Sequence, residues 1–127
     1  MSKSNAATDS NSNPAGVSPN TNVTIASVSL RISGHASHNV FLIGQFSADT
    51  TAATGGIMVA SILVDGNLIM DTQVNNLQGN TGTLLSLSGM LTVGAGTHQF
   101  DLQAFATNLT FVSAHHRSLT AIDLGTS

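Results

Sequence analysis

Apolar and polar residues alternate one for one along most of this 127-residue chain. His98, Phe100, Leu102 and Ala104 alternate with Gln99, Asp101 and Gln103. Leu85, Leu87 and Gly89 alternate in the same way with Ser86 and Ser88. A period of two puts successive side chains on opposite faces of an extended strand. A chain written this way buries one face of a sheet and leaves the other open. Composition closes the helical alternative. The chain has no Glu and one Lys, and charged residues are 7% of it, against about 25% in ordinary soluble domains. Without Glu and Lys there is little from which to build an exposed helix. Ser, Thr and Asn take their place, and they favour strands, turns and caps.

Eight strands are predicted from this pattern. The first, Val23 to Ile32, switches parity: Val23 and Ile25 share one side, Val28, Leu30 and Ile32 the other. Such a switch predicts a bulge. Val40 to Phe46 is nearly continuous apolar and reads as a strand covered on both faces. A polar loop at Asp49–Gly56 leads to Ile57–Val64. Asp65-Gly66 then separates that strand from Asn67–Val74, and Asp-Gly between apolar runs predicts a type I′ hairpin. After a loop over Gln73–Gly82 comes Thr83–Val93, then the turn Gly94-Ala95-Gly96, then the run through His98–Ala104. Leu109–Val112 and Leu119–Leu124 complete the set. This spacing belongs to sandwiches and jelly rolls. With no Cys, Trp or Tyr, an immunoglobulin-type sandwich is disfavoured. The expected fold is all-β: a two-sheet antiparallel jelly-roll sandwich over residues 22–127. Its expected core is Val28, Leu30, Ile32, Leu42, Phe46, Phe100, Leu102 and Leu119.

Residues 1–21 are polar and contain Pro14 and Pro19, which oppose a helix. They offer almost nothing to bury against the entropy of ordering. The expectation is an extended low-complexity arm, held by a partner or packed on its own domain.

Net charge is −3 and the three cations, Lys3, Arg31 and Arg117, are scattered, so nucleic acid is excluded as a partner. No apolar segment reaches the roughly 18 residues of a membrane helix, and no signal peptide is read at the N-terminus. A surface so poor in charge has little repulsion to keep copies apart, which points to burial against copies or partners.

No catalytic motif is present. Ser86-Leu87-Ser88-Gly89 lacks the Gly two before Ser of a nucleophile elbow. Asp65 sits in a turn, where its role is conformational. His35 and His38 are three apart in the Gly34–His38 turn, and His115 and His116 are adjacent, so on a strand they point to opposite faces. No three or four ligands converge for zinc. His98 shares the apolar parity of Phe100 and reads as a hydrogen-bonded, half-buried histidine. Phe105 breaks that parity, so it and Phe111 are the aromatics expected to lie between sheets or subunits. Asn22-Val23-Thr24 and Asn108-Leu109-Thr110 fit the glycosylation acceptor pattern, which carries meaning only in a secreted eukaryotic protein.

The phrases DGNLI at Asp65–Ile69, GAGTHQFDLQA at Gly94–Ala104 and RSLTAIDLG at Arg117–Gly125 resemble the small jelly-roll modules of tailed-phage virions. Those modules are similar to the tumour-necrosis-factor/C1q-like fold. The resemblance covers about residues 22–125 and brings no catalytic residue, cofactor or metal. It implies a homotrimer, either a capsid decoration (cement) protein on the outer capsid surface of a bacteriophage virion or a tail-fibre or spike tip that binds a host receptor. The sequence shows no heptads or Gly-X-Y stem and lacks the Trp and Tyr that receptor sites favour, so the expectation is a non-catalytic cement protein bound to the major capsid protein. Asn13, Pro14, Val17 and Pro19 are the expected capsid contacts. Ala104, Phe105, Ala106 and Phe111 are the expected subunit contacts.

Overall fold

A computed structural model describes residues 5–18, 20–51, 56–77, 81–107 and 111–126, without the side chains at 50, 51, 76, 77, 81 and 111–113. All its regular elements are strands: β1 (Asn5–Asn11), β2 (Ala15–Val17), β3 (Val23–Ile32), β4 (His38–Thr51), β5 (Gly56–Val64), β6 (Asn67–Leu77), β7 (Thr81–Val93), β8 (Gly96–Thr107) and β9 (Phe111–Gly125). They form two antiparallel sheets. The first runs β1-β9-β4-β7, with β2 also paired to β9; the second runs β3-β8-β5-β6. From β2 onward only the β5–β6 hairpin stays within its sheet, and every other connection crosses between sheets. That is the winding of a jelly roll.

The alternation decides which side chains meet. Val40, Leu42 and Phe46 of β4 and Leu119 and Ala121 of β9 face Ile62, Phe100, Leu102 and Ala104 of the other sheet, and all are buried. All eight expected core residues lie in this cluster. Burial of each large side chain contributes about 1.5–3 kcal/mol. The parity switch in β3 is a register shift between Thr24 and Ala26, which turns both Ile25 and Ala26 inward. The β5–β6 turn has positive φ at Asp65 (51°) and Gly66 (84°), as type I′ requires.

Two expectations are corrected, and one alternative is decided. Residues 5–17 pack on their own domain: β1 pairs with β9 over Asn5–Asn11, β2 pairs with it over Ala15–Val17, and Val17 is 3% exposed in the core. A strand edge satisfies the backbone of a polar segment without needing apolar side chains, which composition alone does not register. Leu109–Val112 and Leu119–Leu124 are not two strands separated by a turn. The described part, Phe111–Gly125, is one strand that absorbs its polar middle through a bulge. The strand at Val40–Phe46 is covered on one face only, because Phe41 and Ile43 point away from the second sheet.

Gly44 faces the second sheet across the core. A Cβ there would lie 3.0 Å from Leu102 Cδ1 and 3.2 Å from Ile62 Cδ1, both fixed in the core. A Cβ on Gly89 would meet only the flexible end of Met70, at 2.8 Å. Gly44→Val is therefore expected to destabilise the fold by about 1–3 kcal/mol through overpacking. Gly89→Ala is expected to cost less, because Met70 can move aside. Chemical denaturation of the two variants beside the parent measures the difference.

Candidate interaction surface

The register of the first sheet lines up its outer side chains in rows across β1, β9, β4 and β7. One row is Ala6, Ile122, Phe41 and Met90; the next is Thr8, Thr120, Ile43 and Ser88; the third is Ser10, Ser118, Gln45 and Ser86. None of these residues is charged. Ile43 is 39% exposed at the centre and Met90 61% exposed at the rim. Thr8 and Thr120 join hydroxyls at 3.1 Å, so even the polar positions are partly satisfied within the face. No described element of the chain covers it: the contacts of these strands outside their own sheet are with β3, β5, β6 and β8 of the second.

The free edge of this face is also uncharged. β7 runs thirteen residues without a charge or a proline, and Leu84 is 65% exposed on it. Natural proteins blunt such edges with Lys, Pro or cover. The next edge in the second sheet, β6, exposes Leu68 at 59%.

The residues expected to contact partners fall differently. Ala104 and Ala106 are wholly buried between the sheets, so they serve the core and not a subunit axis, a correction. Their even numbers share the inward parity of Phe100 and Leu102. Phe105 lies on the outer face of the second sheet, opposite Val59 and half-buried. The Phe111 side chain and Pro19 fall outside the described residues. Asn13 and Pro14 are exposed between β1 and β2, with the Asn13 carbonyl accepting from Arg117 Nε at 3.2 Å. Val17 is withdrawn into the core and is unavailable to a partner. The outer face itself had a signal in the sequence: the odd positions of an unbroken apolar run, Phe41 and Ile43.

Three of the histidines pair with aspartates. His38 Nδ1 lies 2.9 Å from both carboxylate oxygens of Asp123, which is nearly buried and also accepts from Gly125 N–H. His115 Nε2 lies 2.6 Å from Asp49 Oδ2. His98 is held at both nitrogens: Nδ1 is 2.7 Å from Asp65 Oδ2, and Nε2 is 2.8 Å from the Gly94 carbonyl. Both partners are acceptors, so His98 satisfies both bonds only as the imidazolium. Its pKa is raised, first by the Asp65 hydrogen bond and then by the Gly94 carbonyl. Asp65 is lowered, first by the Gln99 N–H and then by His98. The pair ties the β5–β6 turn to β8 beside an open hollow of about 290 Å³ lined by Val64, Ile69, Leu91 and Val93. No three metal-ligating groups come together among the described residues.

No family model matches the chain, and no curated protein matches it in sequence. Solved structures do. A chain from the 2.6 Å structure of infectious bursal virus derived T=1 particles superposes with a TM-score of 0.64 at 14% identity, over 94% of this chain and 32% of that one. Eiger TNF from S. frugiperda gives 0.64 at 9% identity, over 96% and 93%. The CBM36-1 domain of a multidomain xylanase from the hindgut metagenome of Trinervitermes trinervoides gives 0.52 at 10%, over 92% and 96%. This chain thus spans about a third of the viral chain. At such identities the likeness is one of fold: the protein is a jelly-roll sandwich, of a kind used by TNF-like, viral and carbohydrate-binding modules.

The His98–Asp65 bond makes stability depend on pH. A raised imidazole pKa contributes stability that is full below the ordinary value of about 6.5 and is lost as pH rises through the folded value. A lowered carboxyl pKa contributes above the ordinary value of about 3.8 and is lost as pH falls through the folded value. The clamp is therefore strongest between these limits. His98→Asn is expected to lower stability at pH 5.5 by at most about 1 kcal/mol, since Asp65 is half-exposed and screened, and by less at pH 8.5. Thermal unfolding of parent and variant at the two pH values checks the sign.

Proposed function

We propose that this protein is a non-catalytic structural module that self-associates through the outer face of its first sheet, as a symmetric homotrimer, and decorates the outer surface of a viral capsid. The observation that carries self-association is the uncharged, four-strand face centred on Ile43. A second uncharged surface, the β7 edge, lies at its rim. When the face of one copy takes the edge of the next, the contact is heterologous, and it closes only as a ring. A sandwich of this size also buries a modest share of its surface alone, so covering the face adds stability. The capsid reading is supported by the fold shared with the bursal-virus particle chain and by the resemblance of the turn-and-strand phrases to virion modules. Within that reading Asn13 and Pro14, exposed at the β1–β2 turn, contact the major capsid protein, and Phe105 serves a contact on the opposite face.

Ile43→Asp places an unpaired carboxylate at the centre of the proposed interface, where covering it costs several kcal/mol. The variant is expected to stay folded by circular dichroism, because Ile43 is already partly exposed, and to run as a monomer in native mass spectrometry at concentrations where the parent is trimeric. Its dissociation constant rises at least about 100-fold. A parent that is monomeric at micromolar concentration, or a variant that assembles like it, overturns the self-association reading. Cosedimentation with capsids tests the virion role; binding to host cells and not to capsids would put the fibre-tip reading in its place.

A further inference from the structure

Beyond its three uncharged rows, the described outer face of the first sheet carries titratable groups at the end where β2 replaces β1 beside β9. His115 stands opposite Ser47, and Asp49 follows two residues along β4 on the same face. Their side chains meet at 2.6 Å, yet the His115 Nε2 has no solvent access and no aligned hydrogen bond, so the contact is close but out of line. A register shift between Gln45 and Ser47 sets Phe46 against both His116 and Arg117. His116 takes the extra position with φ of 50°. That bulge brings the two imidazoles to 4.9 Å between centroids, on the same side, where a regular strand would have parted them.

We infer that the His115–Asp49 pair makes self-association pH-dependent, with assembly favoured when His115 is protonated. The inference rests on the proposal that this face is the subunit interface. With His115 charged, the pair is neutral overall and can be covered at modest cost. With His115 neutral, Asp49 is a lone carboxylate, half-exposed in the single chain, and covering it in every copy strips its water without compensation. Among the described residues nothing else nearby offsets it. β7 offers Gly82 and Leu84 and β2 offers Gly16, all uncharged. The connections at 52–55, 78–80 and 108–110 contain no titratable residue. Arg117 is committed to the carbonyls of Asn13 and Ile25, and its charge is constant over the range. His116 is exposed beside His115.

The sign follows. Association tightens as pH falls from 8 to about 6, the direction that protonates an imidazole. Sedimentation velocity of the full chain at pH 8, 7 and 6 is expected to show a dissociation constant at least about tenfold lower at pH 6 than at pH 8. Asp49→Asn removes the lone charge, and is expected to bring association at pH 8 to the parent's level at pH 6 and to flatten the profile. His116→Asn keeps a side chain that tolerates positive φ and is expected to retain the dependence. Equal association of the parent at all three pH values, or an unchanged profile in Asp49→Asn, overturns the inference and leaves the interface standing. A parent that is monomeric throughout overturns both.

Discussion

The structure depends on the pairing of β9 along both of its edges. β4 lies against one side of this fifteen-residue strand, and β1 and β2 share the other. Through β9, two N-terminal strands that bring one fully buried side chain between them, Val17, are made part of a five-stranded sheet. Without that ladder the first sheet would end at β9 and expose a row of unpaired backbone groups. The inward parity of β9 also supplies Ala114, Leu119 and Ala121 to the core, so the same strand ties the edge to the centre.

The two sheets are not equivalent on their outer sides. The second carries Arg31, Asp71 and Asp101 among its outward or exposed positions, and Asp101 accepts from Ser27 Oγ at 2.6 Å and from Gln99 Nε2 at 3.1 Å. Such a lattice of side-chain bonds suits a solvated surface. The first sheet offers Ser, Thr and apolar residues, with its charge gathered at one end. The asymmetry gives the molecule one side that carries charge and one that is nearly free of it. It also explains why a chain so poor in charge need not be uniformly sticky.

Local irregularities do most to place chemistry. The type I′ turn aims Asp65 at His98 and at the Gln99 N–H, 2.9 Å away, which fixes the hairpin against β8. The bulge in β9 sets His116 beside His115. The first was legible, because Asp-Gly between apolar runs has few other conformations. The second was not, since adjacent residues on a strand are expected to diverge, and only the pairing with β4 shows that one of them is extra. The bulge in β3 was legible for the converse reason: it flips the parity of large apolar residues, whereas the β9 bulge falls among His, His and Arg, whose hydropathy marks no face.

What the sequence determined by itself was the strand content, the inward set from Val28 to Leu119, the hairpin and the kind of sandwich. These follow from the period of two and from turn chemistry, both of which are local. What the tertiary structure decided was the place of residues 5–17, the unity of the described β9, and which face of β4 lies open. Each of these depends on backbone pairing between segments distant in the chain, as far apart as Asn5 and Asp123. Backbone groups are the same in every residue, so side-chain pattern cannot announce their partners. The reversal at Ala104 and Ala106 has the same origin in part: small apolar residues fit a subunit axis or a core equally well, and only the packed second sheet shows that the core has taken them.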